Sequence, residues 1–237
     1  MKVSQLKIKI FADGADAKGM IEQYRDPVIK GFTTNPTLMR KAGISDYRAF
    51  AKEILAAIPD KPISFEVFSD EFDVMEKHAL EIASWGRNVY VKIPVTNTKG
   101  ESSNDLIRRL SSKGVQLNIT AVLTLEQVRG LIPCVKDGAP SNISIFAGRI
   151  ADTGRDPIPL MREAIGMARS FPNIEFIWAS PRELLNIFHA EDVGCHIITV
   201  TRDVLGKLSL VGKDLGEYSL DTVRMFYQDA VHAGFRL

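Results

Sequence analysis

Ile63-Ser64-Phe65-Glu66-Val67-Phe68, followed by residues 70–85 and then by Asn88-Val89-Tyr90-Val91-Lys92-Ile93-Pro94-Val95, reads as strand, helix, strand. The two outer runs are short and rich in Val, Ile and Phe, which favours extended backbone. The middle segment places Phe72, Met75, Ala79, Ile82 and Ala83 on one side of a helix. A strand, an amphipathic helix and a second strand form a crossover unit, which makes the two strands parallel.

The same alternation runs outward in both directions. Apolar runs recur at 6–12, 30–33, 63–68, 88–95, 115–120, 142–147, 175–179 and 195–200. Helix-like segments or long connections separate them. In 47–58, Phe50, Ile54, Ala57 and Ile58 share a face, and Ser102 and Ser103 can cap a helix carrying Leu106, Ile107 and Leu110. Eight such strands point to a (β/α)8 TIM barrel, with a doubly wound open sheet as the alternative of the same pattern. No linker or low-complexity tract interrupts residues 1–237, so a single domain is expected. An additional C-terminal amphipathic helix, about 219–235, carries Val223, Phe226, Tyr227 and Val231.

Composition narrows the function. Basic and acidic residues nearly cancel, 30 against 29, and are well mixed, so no nucleic-acid or anionic-membrane partner is indicated. No run is apolar enough for a membrane span and residues 1–6 do not resemble a signal peptide, so a cytoplasmic protein is expected. Cys134 and Cys195 match no metal or redox spacing and read as buried thiols. None of His78, His189, His196 and His232 has a metal-ligand spacing, and no glycine-rich nucleotide motif appears. Neither a metal nor another cofactor is therefore expected.

Active sites of such barrels form at the C-terminal ends of the strands. Polar residues there are Asp13, Thr33, Thr34, Asn35, Glu66, Lys92, Asn118, Thr120, Ser144, Arg149, Ser180 and Arg182. Lys92 interrupts an apolar run that implies burial, and Pro94 places it near the barrel mouth. Burial disfavours an ammonium, and the neutral amine is the form that attacks a ketone. The alternative is a lysine paired with Glu66 or Asp13, or one reaching out to solvent. Asp13 and Glu66, both in apolar settings, could exchange protons near neutral pH, although Asp13 could equally cap a helix beginning near Ala15. Arg149 and Arg182 with Ser180 could clamp a phosphate, and Gly148 would let backbone approach it. As isolated features these arginines also fit a solvated surface.

Five segments taken together resemble the transaldolase family of class I aldolases. They are Gly31-Phe32-Thr33-Thr34-Asn35-Pro36-Thr37-Leu38, Val89-Tyr90-Val91-Lys92-Ile93-Pro94-Val95-Thr96, Leu117-Asn118-Ile119-Thr120-Ala121-Val122, Ser144-Ile145-Phe146-Ala147-Gly148-Arg149-Ile150 and Trp178-Ala179-Ser180-Pro181-Arg182. The resemblance implies the closed barrel and a Schiff base between Lys92 and a ketose donor. It also implies proton transfer by Asp13, a water positioned by Glu66 and Thr120, and donor hydroxyls bound by Asn35 and Asn118 with Thr33 and Ser144 nearby. Arg149, Ser180 and Arg182 would hold the phosphate of a phosphorylated sugar, in carbohydrate metabolism of the pentose phosphate pathway type. Compact members form ring-like homo-oligomers through the C-terminal helix, which implies a pentamer or decamer.

The compact members include fructose-6-phosphate aldolases, which carry glutamine at the position of Glu66 and tyrosine at that of Phe146. Both residues here resemble transaldolases, which implies transfer of a dihydroxyacetone unit over its release. The polar loop 99–104 departs from the compact pattern, leaving open a relative that acts on another anionic ketose. A non-catalytic sugar-phosphate-binding barrel would have no need of Lys92, Asp13 and Glu66 together.

Overall fold

In the computed structural model, which describes residues 3–236, eight parallel strands close into one barrel in sequential order. They are β1 (Lys9–Asp13), β2 (Ile29–Thr33), β3 (Ile63–Glu66), β4 (Val89–Pro94), β5 (Leu117–Val122), β6 (Ser141–Ile145), β7 (Ile174–Trp178) and β8 (Ile197–Thr201). Each coincides with one of the eight apolar runs. Closure comes from pairing of β1 with β8, Lys9 opposite Ile197 through Asp13 opposite Thr201, which removes the edges that an open sheet would expose.

The helices, in chain order, are α1 (Ala17–Tyr24), α2 (Pro36–Lys41), α3 (Tyr47–Ala57), α4 (Phe72–Ala83), α5 (Asn104–Ser112), α6 (Leu125–Val135), α7 (Ala147–Asp152), α8 (Ile158–Met167), α9 (Leu185–Asp192), α10 (Arg202–Leu205) and α11 (Leu215–His232). Their starts are written in short polar side chains. Asp16 accepts from Gly19 N, Asn35 from Leu38 N and Asp46 from Ala49 N, while Thr124 and Gln127 form a reciprocal capping box. The cap of α1 is therefore Asp16, and Asp13 is left for other work. Ser103 occupies the cap position of α5 without a side-chain bond to the helix; the Ser102 hydroxyl accepts from Asn104 N instead.

The apolar faces expected of α3 and α4 bury Phe50 and Ile54, and Met75, Ala79 and Ile82, against the barrel. Both cysteines are buried and free. Helix α11 begins at Leu215, earlier than the apolar periodicity alone indicates, because Asp214 caps it. It contains no buried residue, unlike α3 to α9. No described helix is long and apolar enough to cross a membrane.

Candidate active site

Side chains alternate in and out along each strand, so register decides which residues meet inside the barrel. Glu66 lies opposite Lys92 and Lys92 opposite Asn118, which puts three polar side chains of β3, β4 and β5 side by side on the inner face. Asp13 is opposite Thr33 on the other side of the mouth. These residues line a cavity of about 480 Å³ at the C-terminal ends of the strands, together with Asn35, Thr120, Ser144, Phe146, Arg149 and Ser180. Below it, the Phe11 ring fills the barrel axis so closely that a Cβ at Gly31 would lie 2.6 Å from it.

Lys92 is 6% exposed. Its ammonium is 3.2 Å from Glu66 Oε2 and donates to Thr34 O at 2.8 Å. Taking this charge out of water is costly, and the carboxylate and carbonyl offset that cost. The pairing with Glu66 is thus real, and it sits inside a cavity rather than at a strand edge.

Asp13 accepts from Thr33 Oγ1 at 2.7 Å, and the Thr33 hydroxyl in turn accepts from that of Thr199. Burial pushes the Asp13 carboxyl above the usual range for an aspartic acid. The nearby Lys92 charge and the Thr33 bond oppose that shift without cancelling it. A carboxyl in this position gives and takes a proton more readily near neutrality than a solvated one.

The polar wall opposite is a chain of hydrogen bonds. Ser144 Oγ donates to Asn118 Oδ1 at 2.7 Å, and Asn118 Nδ2 donates to Ser64 Oγ at 2.9 Å. These bonds orient the Asn118 amide so that its other N–H is available to a ligand. Asn35 works similarly: its carbonyl oxygen caps α2 at Leu38 N, 3.0 Å away, which leaves the amide N–H groups for the cavity.

Among the described residues, two that are not glycine have left-handed backbone, Ala121 at φ 62° and Ser180 at φ 58°. Both line the cavity, where such strain commonly collects. Ser180 is held by close packing: Gly148 N donates to Ala179 O, and a Cβ at Gly148 would fall 1.5 Å from Ser180 O. Arg149 projects from α7 with its guanidinium 5.4 Å from the centre of the Phe146 ring. Of the expected site residues, Arg182 does not line the cavity, and Thr34 meets Lys92 through its backbone carbonyl without lining the cavity itself. Arg182 forks onto the Asp152 carboxylate, with Nε 3.0 Å from Oδ1 and a second bond from Nη2 to Oδ2.

The profile of the family described as Transaldolase/Fructose-6-phosphate aldolase matches residues 10–237. This chain belongs to that family. Curated relatives named "Probable transaldolase" include one from Dehalococcoides mccartyi, 34% identical over 84% of this chain and 88% of the relative. One from a Thermoanaerobacter species is 31% identical over 97% and 100%, and one from Streptococcus agalactiae is 36% identical over 81% and 86%. Among solved structures, a crystal structure of 2,3-dimethylmalate lyase shares the fold. Its TM-score is 0.55 at 14% identity, covering 98% of this chain and 86% of that one.

Strand β8 also contributes to the site, through a residue that the polar breaks in the sequence do not single out. Thr199 lines the cavity and buttresses Thr33, and its signal was the alternation Ile197, Thr199 within the last apolar run. Pro36, Thr37 and Leu38 close the cavity beside Asn35 because α2 starts immediately after β2.

Proposed function

We propose that the protein transfers a dihydroxyacetone unit from a ketose phosphate to an aldose phosphate through a Schiff base on Lys92. The observation that carries this reading is a buried lysine 3.2 Å from Glu66, in the same cavity as a carboxyl, Asp13, whose burial favours proton exchange.

Lys92 Nζ, after giving up a proton, attacks the donor's ketone carbon to form a carbinolamine. Loss of its hydroxyl as water gives the iminium, and Glu66 with Thr120 holds that water. Asp13 removes the proton from the C4 hydroxyl, the C3–C4 bond breaks, and the electron pair moves into an enamine on Lys92. The aldose leaves. The enamine carbon then attacks an acceptor aldehyde, whose oxygen takes the proton back from Asp13. Hydrolysis frees Lys92. Asn35 and Asn118 hold donor hydroxyls, with Thr33 and Ser144 beside them.

Arg149 and Ser180 take the phosphate, and Arg182 joins them by exchanging Asp152 for it. That exchange is inexpensive, because both partners of the pair are about half exposed and such pairs contribute only about 0–1 kcal/mol. Phe146 offers no hydroxyl to protonate the enamine carbon, so the three-carbon unit persists until an acceptor arrives. Incubation with fructose 6-phosphate tests this reading. Erythrose 4-phosphate should be required for turnover and a seven-carbon ketose phosphate should form. Free dihydroxyacetone released at a comparable rate without acceptor would mark an aldolase instead.

The assembly belongs to the same reading. Helix α11 has no buried residue, with Val223, Phe226 and Tyr227 at least 60% exposed, which supports docking on another copy; the resemblance to compact members implies that the homo-oligomer is ring-like, a pentamer or decamer.

A further inference from the structure

In a parallel ladder a residue sends its N–H to one position of its neighbour and receives on its C=O from the position two further along. Between β2 and β3 this pattern runs from Phe32 N donating to Pro62 O at 2.8 Å to Thr34 N donating to Ser64 O at 3.1 Å. The next bond in the series would run from Glu66 N to Thr34 O. It is not made. Glu66 N donates instead to the Tyr47 hydroxyl at 2.8 Å, and that hydroxyl donates back to Glu66 O at 3.1 Å. Thr34 O, outside the ladder, accepts from Lys92 Nζ at 2.8 Å.

We infer that Tyr47 is a positioning residue for the reaction: by satisfying the Glu66 backbone it opens the ladder between β2 and β3, which frees the Thr34 carbonyl to orient Lys92 and fixes the backbone from which Glu66 reaches it. This rests on Lys92 being the nucleophile. A buried backbone N–H must find a partner, so Glu66 N bonds either to Thr34 O or to something that replaces it. Tyr47 is well held for that task. It is the first residue of α3, directly after the Asp46 cap. Its ring packs edge-on against Phe65 and Trp85, with centroids at 6.0 and 5.5 Å, and against Phe68 at 4.9 Å. Burial also pushes its phenol far above the usual range, so the hydroxyl keeps its proton and both hydrogen-bond roles.

Tyr47→Phe keeps the ring and removes both bonds. Glu66 N then turns back to Thr34 O, and Lys92 shares that carbonyl with it instead of holding it alone. The expected result is a transfer kcat about tenfold lower with donor KM within about twofold of the wild type. Trp85→Phe loosens the same aromatic packing and leaves the hydroxyl in place, so its melting temperature should fall while kcat does not. A Tyr47→Phe protein with kcat within about twofold of wild type, or a Trp85→Phe protein with the same kcat loss, would overturn the inference. If the wild type forms no borohydride-trapped adduct, the nucleophile assignment is what fails. The arrangement is then tested without a sugar, by reductive methylation of Lys92 with formaldehyde and cyanoborohydride as the hydride donor. A rate differing about threefold or more between wild type and Tyr47→Phe supports it, and equal rates contradict it.

Discussion

At the scale of single residues, Asp13 shows how function is set against stability. Its carboxyl is raised above the ordinary 3.8 mainly by burial. A group whose folded pKa exceeds its unfolded one lends its full stability below the unfolded value and loses it as pH rises through the folded value. As pH rises through that folded value, ionising the buried Asp13 carboxyl therefore withdraws stability that an uncharged amide would keep. Asp13→Asn should abolish most activity yet raise the melting temperature at pH 7 by roughly 2–4 °C, the size of about 1 kcal/mol in a chain of this length. The gain should vanish in thermal scans below about pH 4. In the active wild type, kcat/KM should fall on the acid side at a pH above that of a solvated aspartate, because in the proposed mechanism Asp13 must be ionised to take a proton.

At the scale of elements, the proposed phosphate end of the site depends on two of them meeting closely. Helix α7 follows β6 without a spacer, save for Phe146, and its Gly148 lies against the strained Ser180 after β7. Gly148→Ala puts a methyl group where the Ser180 carbonyl stands. The loops must part, which should cost about 1–3 kcal/mol in denaturant unfolding and raise the KM for phosphorylated donors more than it lowers kcat. The glycine's place after an apolar run was legible in the sequence, as were all eight strands, because apolar runs of strand length alternating with amphipathic helices leave few other arrangements. Register followed less directly: Glu66, Lys92 and Asn118 were each visible as polar breaks in apolar runs, but their alignment on one face depends on pairing between strands. Two features lay beyond local pattern. Arg182 turns to Asp152, a partner distant in sequence, and Tyr47 opens a strand ladder from a helix whose own periodicity assigns it no special part. Both depend on long-range geometry that neither composition nor spacing encodes.

The whole molecule joins a barrel that buries its own helices to a C-terminal helix that buries nothing. In the proposed homo-oligomer, apolar side chains such as Phe226 and Tyr227, 63% and 71% exposed, would gain their burial from a neighbour. Charges introduced there, as in Phe226→Asp with Tyr227→Asp, should reduce the mass in light scattering toward the single chain while the barrel's circular dichroism is retained; a wild type that is already monomeric would contradict the assembly. In the proposed mechanism each chain brings its own Lys92, within a cavity that also holds Asp13 and Glu66. Borohydride reduction in the presence of fructose 6-phosphate, followed by intact-protein and peptide mass spectrometry, therefore tests the central claim most directly. One reduced dihydroxyacetone unit per chain, located on Lys92 and missing from Lys92→Ala, is the expected result. An unmodified protein, or an adduct on any other lysine, would contradict it.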